Sequence, residues 1–351
     1  MSEPVQPSSD PKDQGAAIAA AGFSAGVLRI DAAAEVRRIS AAVRTQVLRT
    51  LRRRGAVIGL SGGIDSSVTA ALCVNALGAD KVLVVFMPEK DSDQDSLRLG
   101  RLVAEKLGVA SVMEDIESSL TAAGCYARRD EFIRKLVPEF GPGWGCKVAI
   151  ANVLGNEGYS ITSLVVQSPD RRLQKLRLPL DIYLGIVAAT NMKQRTRKQI
   201  EYYHADRLNY AVAGTPNRLE YDQGFFVKNG DGAADFKPIA HLYKTQVYQL
   251  AEFLDIPGEI RARPPTTDTW SLAQTQEEFY FSLPYERMDL CLYAFNHGIA
   301  AEIVAPAVGL SVEQVARVWR DIISKRRAAN YLHCPPLLVA PVLAHEQIRS
   351  N

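Results

Sequence analysis

A chain of 351 residues with 47% hydrophobic and 23% charged side chains can bury one large or two moderate globular cores. Its formal net charge of +2 gives no global pull toward nucleic acid or membrane surfaces, and no apolar run approaches the roughly 20 residues a spanning helix needs. Five cysteines, Cys73, Cys125, Cys146, Cys291 and Cys334, stand without a Cys-x-x-Cys pair, which fits reduced thiols in a cytoplasm better than a disulfide framework or a zinc site.

The start of the chain carries Glu3, Asp10 and Asp13 before a weak small-residue run, which argues against a secretory signal. Its Pro, Ser and acidic content reads as a disordered arm over residues 1–28, leaving a globular part over 29–340 and a short tail, 341–351. In 31–53, Val36, Ile39, Val43, Val47 and Leu51 recur three or four apart, one apolar face of a helix. "GAVIGL" (55–60) is a buried strand, "SVTAALCVNALGAD" a helix ending near Gly78, and "KVLVVFMP" a second buried strand. A helix over 91–109 and the strand candidate "ASVMEDI" follow. This alternation predicts a doubly wound parallel α/β sheet, Rossmann-like, with right-handed crossovers.

Residues 124–185 are less regular. "GPGWGCK" (141–147) reads as a loop, and "YSITSLVVQSPDRRLQKLRLPL" (159–180) as two strands around a Ser-Pro-Asp turn. Arg171, Arg172, Lys175 and Arg177 make that hairpin basic, which suits a solvated edge strand better than an anion site. Helices are expected over 190–206 and 244–256, with a short strand, "LNYAVAG", between them. The C-terminal part is helical, with a capping box of Ser311 and Gln314. The stretch 299–327 has the length and glycine turn of a helix-turn-helix, but Val315, Val318, Trp319 and Ile322 suit a helix packed on a core.

Between the first strand and its helix lies "IGLSGGIDSSV" (58–68). Its glycine pair lets backbone N–H groups converge on an anion at a helix N-terminus, and Ser61, Ser66 and Ser67 add hydroxyls. The lysine of a P-loop, which serves γ-phosphoryl transfer, is missing. Asp65 stands in the loop instead, and a carboxylate beside a triphosphate is tolerable mainly if it holds Mg²⁺. A loop that grips the β and γ phosphates through a metal is arranged to release pyrophosphate, so the α phosphorus is open to attack and adenylyl transfer is expected. The loop resembles that of the N-type ATP pyrophosphatases, of adenine nucleotide alpha hydrolase-like fold, which activate a carbonyl oxygen with AMP.

Residues 212–270 narrow the choice. "KNGDGAAD" is a glycine-relaxed charged loop suited to closing over a polar ligand. Glu220 can give Mg²⁺ a second carboxylate, and Lys244, at a helix start, is a reasonable phosphate partner. The segments G-T-x-x-x-x-E, F-x-K-x-G-D-G-x-x-D, L-x-K-x-Q and P-T-x-D, in this order, resemble the ammonia-dependent NAD synthetases over roughly 35–120 and 186–340.

That resemblance implies ATP- and Mg²⁺-dependent adenylation of nicotinic acid adenine dinucleotide (deamido-NAD), followed by displacement of AMP by ammonia. Gly59, Leu60, Ser61, Gly62, Gly63, Ile64, Asp65 and Ser66 would hold the ATP phosphates, with Thr215, Lys244 and Thr266 as further ATP contacts. Asp65 and Glu220 would ligate Mg²⁺, and Arg195, Lys228 and Asp235 would bind the dinucleotide. Asp231 would orient or deprotonate ammonium, completing a catalytic pair with Asp65. Asp65→Asn is expected to abolish pyrophosphate release with the fold intact.

The resemblance also implies a homodimer, with the dinucleotide site at the subunit interface, and free ammonia or a separate glutaminase as nitrogen source. Two departures stand out. The family's His-Lys pair before Pro-Pro is matched here by Tyr331 and Leu332, and the stretch between Asp65 and Arg195 is longer than a compact member needs. They keep open a related AMP-forming amide ligase acting on another carboxylate.

Overall fold

Ala56, Val57 and Ile58 have no exposed surface, as an unbroken apolar run requires when both faces of its strand are covered. In the computed structural model, which describes residues 22–150, 162–266, 269–281, 283–340 and 342, this run forms β1 (Ala56–Gly59). It pairs in parallel with β2 (Val82–Phe86) on one side and β7 (Ala211–Val212) on the other. β3 (Ala110–Met113) joins β2, giving the order β3-β2-β1-β7. The chain thus winds outward from β1 and later returns to its opposite edge. The loop leaving β1 lies at that topological switch point, where open α/β sheets bind ligands.

Helices cover both faces. On one, Val36, Ile39 and Val43 of α1 (Ala32–Arg44), Leu72 of α2 (Ile64–Leu77) and Val103 of α3 (Gln94–Leu107) pack on Ile58 and Val84. On the other, Val57 and Val85 meet Leu120 of α4 (Glu117–Ala122) and Tyr126 of α5 (Cys125–Arg134). The doubly wound α/β expectation holds. α1 does not run evenly to residue 53, because Thr45–Thr50 continue it as a π-helical turn.

The 124–185 region is more regular than its sequence suggests. The residues read as a loop at 141–147 run into β4 (Gly145–Ile150), which pairs antiparallel with β5 (Thr162–Gln167) and through it with β6 (Leu173–Arg177). Cys146 and Val148 alternate inward against Leu164 and Val166, a period of two hidden behind the preceding glycines. The hairpin over 159–180 is present from residue 162, and the side chains of Arg171, Arg172 and Lys175 are exposed.

The helix expected at 190–206 is α6 (Leu180–Leu208), which starts ten residues earlier. Its pattern misleads because Leu180 and Leu184 are exposed while Lys193, Lys198 and Glu201 are buried.

α7 (Arg218–Gln223), α8 (Lys244–Phe253) and α9 (Gly258–Ala262) follow. α10 (Tyr285–Asn296), α11 (Ala301–Val308) and α12 (Val312–His333) build a second core. Ser311 and Gln314 form the expected capping box of α12. Val315, Val318 and Ile322 are buried, and Trp319 Nε1 donates to the Cys291 carbonyl at 3.0 Å, so this face serves the core. Phe23 and Leu28 insert into the same core, and Ala25–Leu28 form a 3-10 turn, so the arm read as disordered over 1–28 is ordered from at least Phe23. The rest of that arm, and the tail beyond Val342, lie outside the described residues. No helix among the described residues is long and apolar enough to cross a membrane, and all five cysteines are free.

Candidate active site

The cradle is built by chain geometry. Gly62 has φ +74, and a Cβ there would lie 2.4 Å from the Ser96 carbonyl oxygen and 2.9 Å from the Gly100 nitrogen, so only glycine fits. Ser66 and Ser67 hydroxyls donate to the Gly63 carbonyl at 3.0 and 2.8 Å, which tightens the first turn of α2. Gly63 caps α2 without a side chain, so the helix presents backbone N–H groups to an anion. Gly62→Ala is expected to raise the KM for ATP at least about tenfold, from left-handed strain of about 1–2 kcal/mol plus the backbone clash. Steady-state kinetics at varied ATP checks it, and an unchanged KM would contradict the cradle.

The loop opens on a cavity of about 540 Å³. Gly59 to Ser66, Thr215, Glu220, Asp231 and Thr266 all line it, so the structure gathers most of the residues expected at the nucleotide site.

Asp65, in the cradle, and Glu220 form a carboxylate pair. Asp65 Oδ1 accepts from Asn217 Nδ2 at 3.1 Å, and Oδ2 is ion-paired with Lys244 Nζ. Asn217 caps α7 reciprocally with Glu220: its Oδ1 accepts the Glu220 N–H at 3.3 Å, and Glu220 Oε2 accepts the Asn217 N–H at 3.0 Å. Glu220 Oε1 accepts from Gln276 Nε2 at 3.1 Å. Burial first, and the Asp65 charge second, push the Glu220 carboxyl up to about 8.

Lys244 is fully buried at the start of α8, where Asp289 accepts its N–H at 3.3 Å and the Thr245 N–H at 2.7 Å. Burial works against its charge, but Asp65 and Glu220 outweigh it and raise its pKa. Lys244 therefore sits behind Asp65 rather than on the open cavity wall.

Asp231 is half-buried, and its Oδ1 accepts the Val227 N–H at 2.7 Å, closing the 227–231 turn. Burial raises its carboxyl above the usual range.

The three residues expected at the dinucleotide stand outside this cavity. Arg195 is exposed and its Nε donates to the Lys228 carbonyl at 3.3 Å. Lys228 Nζ donates to the Tyr331 and Cys334 carbonyls at 2.8 and 2.9 Å. Asp235 is exposed and braces β7, accepting the Val212 N–H at 2.7 Å and the Tyr202 hydroxyl at 3.2 Å. None of the three lines the cavity.

Sequence reasoning missed other wall residues. Tyr183, Val187, Asn191, Gln194, Lys198 and Glu201 of α6 face the cavity at helical spacing. Lys198 Nζ donates to Glu201 Oε2 at 2.6 Å, and Arg197 and Arg263 also line the cavity, so the site holds basic groups besides Lys244. The signal for α6 is present as an i, i+4, i+7 polar series from Thr190, one face away from Arg195. Leu332, which stands where the family has a lysine, also lines the cavity, while Tyr331 is exposed.

A parallel sheet with a glycine-serine cradle at its switch point and a carboxylate pair at that cradle defines a nucleotide-using α/β enzyme. The family model described as NAD synthase matches residues 35–136 and 159–328. The chain belongs to the NAD synthase family.

It is similar to the NH(3)-dependent NAD(+) synthetase of Rhizobium meliloti (strain 1021), 68% identical over 320 residues, which cover 91% of this chain and 96% of that protein. Among solved structures, NMN synthetase from Francisella tularensis shares the fold at TM-score 0.59 and 21% identity, over 90% of this chain and 100% of that one. NH3-dependent NAD synthetase from Campylobacter jejuni subsp. jejuni NCTC 11168 does so at TM-score 0.57 and 20% identity, over 89% and 100%.

Proposed function

We propose that the chain amidates nicotinic acid adenine dinucleotide with ammonia, using ATP to adenylate the nicotinate carboxylate and giving NAD, AMP and pyrophosphate. The observation that carries this reading is the position of Asp65. It stands in the first turn of α2, in the cradle, and Glu220 lines the same cavity. Two hard carboxylate donors, one of them holding its proton unusually tightly, form a donor set suited to Mg²⁺, which takes one or two carboxylates and completes its shell with phosphate oxygens and water. Asp65 and Glu220 would hold that ion, and when bound it neutralises charge on the departing pyrophosphate.

The chain's own groups do the rest. The N-terminal amides of α2 bind the β and γ phosphates, and Arg197 and Arg263 on the walls add positive charge. Thr215 and Thr266 bracket the nucleotide, and Lys244 fixes the Asp65 carboxylate. Asp231, with its raised proton affinity, is suited to take a proton from ammonium and release the nucleophile. No covalent nucleophile is required, since positioning and charge neutralisation at the α phosphate lower the barrier.

Arg195, Lys228 and Asp235 bind the dinucleotide in a homodimer, where a second copy closes the site. Their position outside the cavity supports this, as do Leu180 and Leu184, exposed on the same helix as Arg195. The enzyme works in the cytoplasm on free ammonia or on ammonia from a separate glutaminase.

The adenylate is tested by pyrophosphate–ATP exchange without ammonium. Exchange is expected only when the acid dinucleotide is present, with a hydroxamate forming on addition of hydroxylamine. Exchange that ignores the dinucleotide would contradict the reading.

A further inference from the structure

Glu89, Asp91 and Lys193 keep 0, 3 and 1% of their side-chain surface in contact with solvent. Charges removed from water this thoroughly cost several kcal/mol per ion unless each finds partners in good geometry. Lys193 Nζ spends all three of its protons: on Glu89 Oε1 at 2.9 Å, Asp91 Oδ2 at 2.6 Å and the Thr269 carbonyl at 2.9 Å.

From the opposite side α5 supplies Tyr126 Oη, which donates to Glu89 Oε2 at 2.7 Å, and Arg129 Nη1, which donates to Asp91 Oδ2 at 2.6 Å. Burial opposes the Asp91 charge, but Lys193 and Arg129 hold its carboxyl below the usual range, so Asp91 is ionised at neutral pH.

None of these five side chains lines the cavity, yet Glu89, Asp91 and Lys193 each stand beside residues that do. Glu89 and Asp91 follow Met87 and Pro88, Lys193 lies between Asn191 and Gln194 on α6, and Thr269 precedes Trp270. The network therefore ties together three separate stretches of cavity wall. Two further seams hold the Trp270 side to the small sheet. The Cys146 N–H donates to Ser271 Oγ at 2.8 Å, and Gln274 Nε2 donates to the Val148 carbonyl at 2.6 Å. Trp270 itself packs with Val148, Leu164 and Val166.

We infer that Lys193 is a positioning residue for ATP: braced by Tyr126 and Arg129, it holds the wall formed by Thr266, Thr269 and Trp270 against the cradle. The 124–185 region is then a scaffold for the nucleotide site rather than an appendage. The inference rests on the cavity being the ATP site.

Lys193→Met removes the three donated bonds at nearly constant volume, and Tyr126→Phe removes one hydroxyl while keeping the ring packed. Each variant is compared with wild type in the complete enzyme by steady-state kinetics, thermal unfolding and acrylamide quenching of Trp270 fluorescence in a Trp144→Phe/Trp319→Phe background. For Lys193→Met the KM for ATP should rise about tenfold or more, with the KM for the dinucleotide and kcat each within about threefold, and Trp270 should become quenchable until ATP is added. For Tyr126→Phe a rise of about two- to threefold in the KM for ATP is expected, without a change in Tm large enough to unfold the enzyme.

If both variants keep the wild-type KM for ATP, or lose activity equally toward both substrates, the positioning role is wrong. If Lys193→Met fails to fold, Tyr126→Phe decides by the same criterion. Failure of wild type to use ATP at all would instead overturn the reading of the cavity.

Discussion

Asp65→Asn is expected to lower the rate of NAD formation at least about 10³-fold, because a carboxylate holding a cation at the departing pyrophosphate, the role proposed for Asp65, would be worth several kcal/mol and each 1.36 kcal/mol is tenfold in rate. The sequence alone predicts an intact fold in this variant, but the structure adds a second effect. Lys244 is buried against Asp65, and removing one partner of a buried pair costs about 3–5 kcal/mol when the remaining charge finds no other. Glu220 stands close enough to take over part of that role, so the Tm should fall without loss of folding.

The double variant Asp65→Asn/Lys244→Met separates the two effects. Its Tm should recover toward wild type while pyrophosphate release stays at the level of the single variant. Recovery of activity together with Tm would show that Asp65 serves stability rather than chemistry.

The second large effect concerns pH and magnesium. Burial and the Asp65 charge raise the Glu220 carboxyl to about 8, so at neutral pH it is mostly protonated, and a cation held by Glu220 would have to displace that proton. The sign follows. A carboxyl whose folded pKa exceeds its unfolded value of 4.5 binds its proton more tightly when folded. The folded protein therefore loses stability from this group as pH rises between the two values. Magnesium affinity in the presence of ATP moves the other way, increasing by up to about tenfold per pH unit below 8 and levelling above it.

Calorimetry in buffers of different ionisation enthalpy should record close to one proton released per magnesium bound near pH 7. Glu220→Gln should bind magnesium weakly and without this pH dependence. A flat wild-type affinity from pH 6 to 8 would contradict the assignment of Glu220 as a ligand.

How much of this was legible in the sequence depended on whether the relevant interaction was local. The cradle could be read directly, because Gly62, Gly63 and Asp65 occupy a strand-to-helix junction whose chemistry follows from chain direction and helix polarity. Glu220 was also legible, and its partner Asn217 could have been, since Asn-x-x-Glu is a helix-start pattern. α6 was not, because hydrophobic periodicity assumes that charges face water. Here Lys193, Lys198 and Glu201 are all buried, Lys193 against Glu89 and Asp91 far away in sequence and Lys198 against Glu201 on the same helix.

β4 was obscured for a related reason: its inward residues are explained only by a sheet whose other strands lie later in the chain. The exposed positions of Arg195 and Asp235 could not be anticipated from family motifs, which record that residues matter but not where the fold places them.

The most direct test of the account is a single assay series with ATP and Mg²⁺, pairing ammonium or glutamine with nicotinic acid adenine dinucleotide or nicotinic acid mononucleotide. NAD, AMP and pyrophosphate are expected in equal amounts with ammonium and the dinucleotide, and at least about 10²-fold lower kcat/KM with either alternative, because sites built to hold polar groups reject analogues that leave those groups unpaired. Comparable turnover of the mononucleotide, or formation of ADP and phosphate in place of AMP and pyrophosphate, would contradict it.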